Sequence, residues 1–567
     1  MSSHDLFIII LFFGILVAAA PVLGSWIAKV LTGEQTILSR LLGPLEHGIY
    51  KVAGVDPGQR MGWKEYAWSV FLFNMAGFGV LLATLLVQGW LPLNPGGAAN
   101  MRWDIAVNTA VSFMTNTNWQ FYSGEGPEGV SYLSQMTGMC VQNFLSAATG
   151  IAVMAAMIRG LKSRESSSIG NFWSDVTRTT LYILLPLALV LALALISQGV
   201  PQCLDGPTQV VGLNGIEQSI PHGPAASQIA IKHLGTNGGG FFGNNSCHPF
   251  ENPTPLSNLL EVAGLLLISC ACPYAFGVMI GNKKQGWIIF AAMMVMFIGM
   301  SALSLWAEHS VNPIYGQGVS MMEGKEVRFG ITNSSLFSVA TTVTSTGAVN
   351  CMHDSMSPIA GGVALFNMLL GEIIFGGVGC GLYGMLLFAI ITVFLCGLMV
   401  GRTPEFLGKK IEAREVRWAM VGILVTGVTV LLMSGIAAGA DVGRAGILNH
   451  GPHGLSEILY CFGSQANNNG SAFAGLGVGS TPFYSLLGGL AMFLGRFGAI
   501  IPVLIVAGSM AAKKVVPQAM GTMRTDNGLF LVLLIAVVFI VGALTFFPAL
   551  ALGPILEHLL LSSGISL

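Results

Sequence analysis

The sequence predicts an all-α polytopic membrane protein of four pseudo-symmetric helix–pore-loop–helix repeats. One extra helix stands at each end, giving about ten transmembrane helices. Three observations predict this. Only 9% of the 567 residues are charged and 53% are hydrophobic, against about 25% charged in a soluble domain. Apolar runs long enough to cross a ~30 Å hydrocarbon layer recur along the whole chain. Between them fall four short polar cores, Asn116-Thr117-Asn118, Thr236-Asn237-Gly238, Ser345-Thr346-Gly347 and Asn468-Asn469-Gly470, whose third residues lie 120, 109 and 123 residues apart.

The first apolar run, near 5–30, could pass for a signal peptide, with Ala18-Ala19-Ala20 imitating a cleavage site. No Lys or Arg precedes it and Lys29 follows it, so it is expected to be a retained helix with its N-terminus outside. Further spans are predicted near 67–90, 131–159, 174–198, 256–281, 286–307, 358–400, 417–439, 482–511 and 527–551. The resulting organisation is a first helix and inner loop (1–66), repeat 1 (67–164), repeat 2 (165–284), repeat 3 (285–416), repeat 4 (417–515) and a last helix (516–567). The run 358–400 is too long for one straight crossing and holds Gly371, Gly376, Gly377, Gly379, Gly381 and Gly384. Such glycine density weakens a helix, so a break facing the pore is expected there.

Most of the 25 Lys and Arg fall in five connections, among them Lys29 to Lys64, Arg159 to Arg178, Lys283-Lys284, Arg402 to Arg417 and Lys513 to Arg524. Basic loops stay inside, so the four cores open outward and both termini lie outside. Acidic residues on that side, such as Asp104, Glu125, Glu251 and Glu457, give a mildly cation-attracting vestibule or are ordinary solvated loop charge.

Each core follows a half-length apolar segment: Asp104–Phe113, Pro224–Leu234, Asn333–Val343 and Leu455–Gly463. Asn333-Ser334-Ser335 and Ser456 are candidate N-caps. The third core residue is Asn or Gly, both tolerant of left-handed backbone. A re-entrant loop of this kind can turn successive main-chain carbonyls toward a common axis, where they replace the water shell of a cation. The C-terminal ends of the short helices, where the dipole is negative, favour a cation over an anion. The predicted filter therefore comprises Asn116, Thr117, Asn118, Thr236, Asn237, Gly238, Ser345, Thr346, Gly347, Asn468, Asn469 and Gly470. Asn118 makes the ring asymmetric, and Gln120 shapes its mouth or supports it from behind.

Two charges sit deep in apolar sequence. Arg496 costs ~2.5–3.5 kcal/mol on insertion scales, so it either faces a cavity as a barrier to leak or pairs with an acid. Glu372, in the glycine-rich run, attracts a cation or pairs with such an arginine. Arg402 follows that run as a topology anchor or part of the barrier. The nine cysteines show no metal-ligand or disulfide spacing. No phosphate loop, phosphorylation sequence, zinc-protease motif or nucleophile elbow is present, so uphill transport would need a partner or a coupled ion.

Several segments resemble the A subunit of the bacterial Kdp potassium-transporting ATPase. They are Thr115–Gln120, Leu234–Phe242 with His248–Thr254, Thr344–Gly347 with Asn350 and His353-Asp354, and Asn467–Phe473. Gly401–Glu405 and Leu494–Gly498 agree as well, so the resemblance spans the chain. It implies the superfamily of potassium transporters fold, with potassium as bound substrate and no organic cofactor. It also implies a non-hydrolytic role in a bacterial inner-membrane complex, where a P-type ATPase B subunit hydrolyses ATP beside a C subunit and a small F subunit. Potassium would enter from the periplasmic side and leave sideways toward B, an exit that the break near Glu372 suits. The alternative is a self-sufficient channel or secondary potassium transporter of the same fold.

Overall fold

The computed structural model describes residues 3–126, 128–310, 316, 319–399, 401, 403–473, 476–477, 481–516 and 523–565. Among them, ten helices are long and apolar enough to cross a membrane. The chain opens with α1 (Ser3–Thr32), which packs along α9 (Pro255–Met279). A short amphipathic helix, α2 (Ser39–Ala53), follows, leaving Leu41, Leu45 and Val52 exposed and burying Glu46 and Tyr50. Its Gly43, Pro44 and Gly48 are poor helix formers, which is why the sequence does not announce it.

Repeat 1 runs from α3 (Trp63–Val87) through the short pore helix α4 (Trp103–Met114) to α5 (Val141–Lys162), which is entered by a π-helical stretch, Ser134–Cys140. In repeat 2, α6 (Phe172–Thr179) and α7 (Leu185–Ser197) form one span across a second π-helical stretch. An antiparallel hairpin, β1 (Thr208–Val211) and β2 (Glu217–Ile220), leads to pore helix α8 (Ala225–Leu234) and then α9. A Thr254–Ser257 capping box and Pro255 in the first turn start α9 sharply.

Repeat 3 comprises α10 (Lys283–His309), pore helix α11 (Gly330–Val343) and a broken second helix, α12 (Pro358–Leu369) and α13 (Cys380–Met399). The break falls where glycine density predicts it. Gly371, Glu372, Phe375, Gly376 and Gly379 all have positive φ, a backbone that no helix continues through. A small hairpin, β3 (Glu405–Phe406) and β4 (Lys409–Lys410), precedes repeat 4. That repeat is α14 (Ala413–Gly439), one turn α15 (Asp441–Arg444), pore helix α16 (Gly451–Ala466) and α17 (Pro482–Ala511). The last helix, α18 (Gly528–Leu550), runs on through a kink at Gly553 into α19 (Leu556–Ser562), further than the apolar run suggests.

In every repeat the helix after the core is more buried than the one before it. By burial α5, α9 and α17 are the inner helices of their repeats, whereas α1 and α3 are the least buried spans. At the far ends of the inner helices, Lys409 binds α5 to α17: its ammonium donates to Gly160 O at 2.9 Å, Met510 O at 2.6 Å and Ser163 O, terminal carbonyls that the helices cannot satisfy themselves.

Two capping expectations are corrected. Asn333, Ser334 and Ser335 lie inside α11, which begins at Gly330, and Asn333 donates back to Phe329 O at 2.9 Å. Ser456 also lies inside its helix and donates to Pro452 O, while His450 stands at the N-cap. Both pore helices start earlier than the sequence suggests, because Gly330 and the Gly451-Pro452 pair open the first turn.

Candidate functional site

Each pore helix ends in the same hydrogen bond. The second core residue donates its N–H to the carbonyl five positions back: Thr117 to Ser112 at 2.8 Å, Asn237 to Lys232 at 2.8 Å, Thr346 to Thr341 at 3.3 Å and Asn469 to Ser464 at 2.8 Å. Closing a helix this way requires left-handed backbone just beyond the last turn. The first core residues supply it, with φ of +69° at Asn116, +49° at Thr236, +42° at Ser345 and +59° at Asn468. The third residues Asn118, Gly238 and Gly470 are also left-handed, at +55°, +79° and +101°; Gly347 is not. Residues alternating between the two hands turn successive carbonyls to the same side. A Thr at positive φ is rare and costs about 1–3 kcal/mol, so the rest of the fold imposes this conformation.

The four cores meet in one closed ring, in chain order. A methyl placed on Gly238 would lie 2.1 Å from Gly347 N, and one on Gly470 would lie 1.9 Å from Thr117 O. Gly347 and Gly470 are likewise adjacent, and Gly239 comes against Asn118 Cβ. Side chains tie neighbour to neighbour. Asn116 Nδ2 donates to Thr236 O at 3.0 Å, Asn118 Nδ2 to Gly238 O at 2.9 Å, Ser345 Oγ to Asn468 O at 2.9 Å, and Asn468 Nδ2 to Thr117 Oγ1 at 3.0 Å. A carbonyl has two lone pairs, so one such bond leaves the oxygen able to accept again.

Gln120 bonds across to the segment that follows the second core: its Oε1 accepts from Gly240 N at 2.8 Å and its Nε2 donates to Gly240 O at 3.2 Å. A second layer on α5 was not expected from the sequence: Asn143 accepts from Asn118 at 2.6 Å and Ser146 donates to Asn116 Oδ1 at 2.8 Å. Its signal was available as polar Gln142, Asn143 and Ser146 inside an apolar helix.

Next to the cores of repeats 3 and 4 lies a cavity of about 70 Å³, lined by Ser345, Glu372, Cys380, Tyr383, Asn468 and Arg496 among others. Arg496 is buried and donates to Ser146 O at 2.8 Å; among the described residues no carboxylate forms an ion pair with it. Glu372 instead accepts from Asn469 Nδ2 at 2.7 Å. Arg496 thus lines this cavity, with its guanidinium held by a main-chain carbonyl of α5. Arg402 lies outside the described residues.

At the N-terminal end of α16, His453 bridges Asp354 through Nε2 and Glu557 through Nδ1, both at 2.8 Å. Burial pulls its pKa down, but the bonds and charges of the two carboxylates outweigh this and lift it from 6.5 to about 10. Asp354, His453 and Glu457 also bring donor atoms within 4.8 Å of one another, a grouping that could hold a metal ion. Glu457, however, already accepts from Leu448 N, Asn449 N and Asn449 Nδ2, so hydrogen bonds within the protein account for the cluster. Because the folded-state pKa of His453 is raised, its contribution is full below about pH 6.5 and is lost as pH rises through about 10. His453→Leu is expected to lower stability by about 1–3 kcal/mol, read as a drop in Tm at pH 6 that shrinks toward pH 10.

A family profile described as "Potassium-transporting ATPase A subunit" matches residues 10–559. The chain is 53% identical over 563 residues to the potassium-transporting ATPase potassium-binding subunit of Pseudomonas entomophila (strain L48), covering 99% of each. It is 52% identical to the subunits of the same name from Rhodospirillum centenum (100% of this chain, 99% of the relative) and Herpetosiphon aurantiacus (99% and 100%). Among solved structures, the potassium transporter TrkH from Vibrio parahaemolyticus matches with a TM-score of 0.50 at 15% identity, over 88% of this chain and 98% of that one. At that identity the likeness concerns the fold.

Proposed function

Because the chain belongs to the potassium-transporting ATPase A-subunit family, we propose that it is the potassium-binding, channel-like subunit of an ATP-driven importer. Main-chain carbonyls of residues 116–118, 236–238, 345–347 and 468–470 form the filter, and Gln120 holds its mouth. The units 67–164, 165–284, 285–416 and 417–515 are the four repeats, with 1–66 and 516–567 as additions. The chain lies in a bacterial inner membrane with both termini periplasmic. Potassium enters from that side and is passed to a P-type ATPase B subunit, which hydrolyses ATP; a C subunit and a small F subunit complete the complex. This chain is non-hydrolytic and carries no organic cofactor. Arg496, Glu372 and Arg402 control passage beyond the filter.

The observation that carries the reading is the meeting of the four cores in one ring, each with its first residue held left-handed. Carbonyls so fixed exchange for water around a monovalent cation without reorganising, which is what tight capture from dilute potassium requires. The test is purification from native membranes. Potassium-stimulated ATP hydrolysis by what co-purifies is expected; a chain that travels alone and conducts potassium passively would favour a self-sufficient channel.

Asn118→Ala removes the amide that donates to Gly238 O and Asn143. Two hydrogen bonds at about 0.5–1.5 kcal/mol each predict roughly a tenfold rise in half-saturating potassium, measurable by rubidium-tracer uptake.

A further inference from the structure

Repeat 2 differs from the other three in one electrostatic respect. The last turn of its pore helix carries Lys232 and His233, whereas the last turns of α4, α11 and α16 carry no basic residue. Lys232 is fully buried, one helical turn before Thr236, and its own carbonyl receives the N–H groups of Asn237 and Gly238. A buried ammonium there opposes a cation in the ring and cancels the favourable end of its own helix dipole. The chain leaving the filter answers it. Glu251, also fully buried, accepts from Lys232 Nζ at 2.5 Å, and its other oxygen accepts from Phe242 N at 2.8 Å. Lys232 Nζ also donates to Asn245 Oδ1 at 2.7 Å, and Asn245, itself left-handed at φ +55°, donates to Gln120 Oε1 at 3.1 Å. The network thus runs from Glu251 through Lys232 and Asn245 to Gln120 and Gly240.

We propose that Glu251 is a charge-balancing residue for the ion site: its carboxylate neutralises the Lys232 ammonium beside the second filter segment, so that the pair adds no net charge next to the ion. This rests on the reading of the four cores as a potassium filter. Unbalanced, the ammonium repels the ion; with both charges removed, most of that repulsion goes.

The experiment measures half-saturating potassium in the intact transporting complex for Glu251→Gln, Lys232→Met, the double variant, and Gly238→Ala as a control on the filter itself. Glu251→Gln is expected to raise half-saturation at least tenfold with maximal rate little changed. The double variant is expected to return to within about threefold of wild type. Half-saturation unchanged in Glu251→Gln, or a double variant no better than Glu251→Gln, overturns the proposal, since a purely structural carboxylate would not be rescued by deleting its partner. If Glu251→Gln does not assemble, the double variant decides alone: near-normal affinity supports charge balance, and a tenfold loss contradicts it. If Gly238→Ala leaves affinity unchanged, the filter reading fails; if Gly238→Ala loses affinity and Glu251→Gln does not, only the present proposal fails.

Discussion

Gly238→Val is expected to raise half-saturating potassium by at least a hundredfold while the chain still reaches the membrane. The residue holds φ at +79°, and a Cβ there would lie 2.1 Å from Gly347 N and 2.3 Å from Gly347 Cα. The left-handed backbone alone costs an L-residue about 1–2 kcal/mol. The overlap falls on backbone, not on a flexible side chain, so either the second or the third core must move. Displacing one or two carbonyls from a shared ion by a few tenths of an ångström forfeits about 3 kcal/mol, which is roughly a hundredfold in affinity. Rubidium-tracer uptake over a range of potassium concentrations reads this directly. Affinity within threefold of wild type would mean that carbonyls at this junction do not hold the ion.

The second large effect is expected at Arg496. Its guanidinium lines the cavity beside Ser345 and Asn468 and is held by Ser146 O, with no carboxylate bound to it among the described residues. At an effective dielectric constant of about 20, two unit charges roughly 5–6 Å apart repel by about 3 kcal/mol. Removing that barrier in Arg496→Ala predicts on the order of a hundredfold more passive potassium flux and ATP hydrolysis that is no longer coupled to uptake. Arg496→Lys keeps the charge and is expected to leak far less. Tight coupling in Arg496→Ala would assign the residue to anchoring α5 through Ser146 instead.

Much of this architecture was legible in the sequence because membranes enforce simple rules. Spans follow from apolar length, the break at 370–379 from glycine density, and the four cores from their spacing. What escaped the reading were features set by tertiary packing. Thr236 and Ser345 are poor candidates for left-handed backbone by residue type, yet both adopt it because the pore-helix ends demand it. Gly347, the natural candidate, does not take a positive φ. Asn333 and Ser456, capping residues by type, sit inside the pore helices instead and donate to carbonyls four residues back. The supports contributed by Asn143, Ser146 and Glu251 come from other segments, and no local pattern links a buried lysine on one pore helix to a glutamate nineteen residues later.

Thallium is a heavy, strongly scattering stand-in for potassium, and its position in crystals of the complex tests the central claim most directly. The account predicts an anomalous peak on the axis of the ring, surrounded by main-chain oxygens from residues 116–118, 236–238, 345–347 and 468–470. A peak found only beside a carboxylate such as Glu372, with the ring empty, would contradict it.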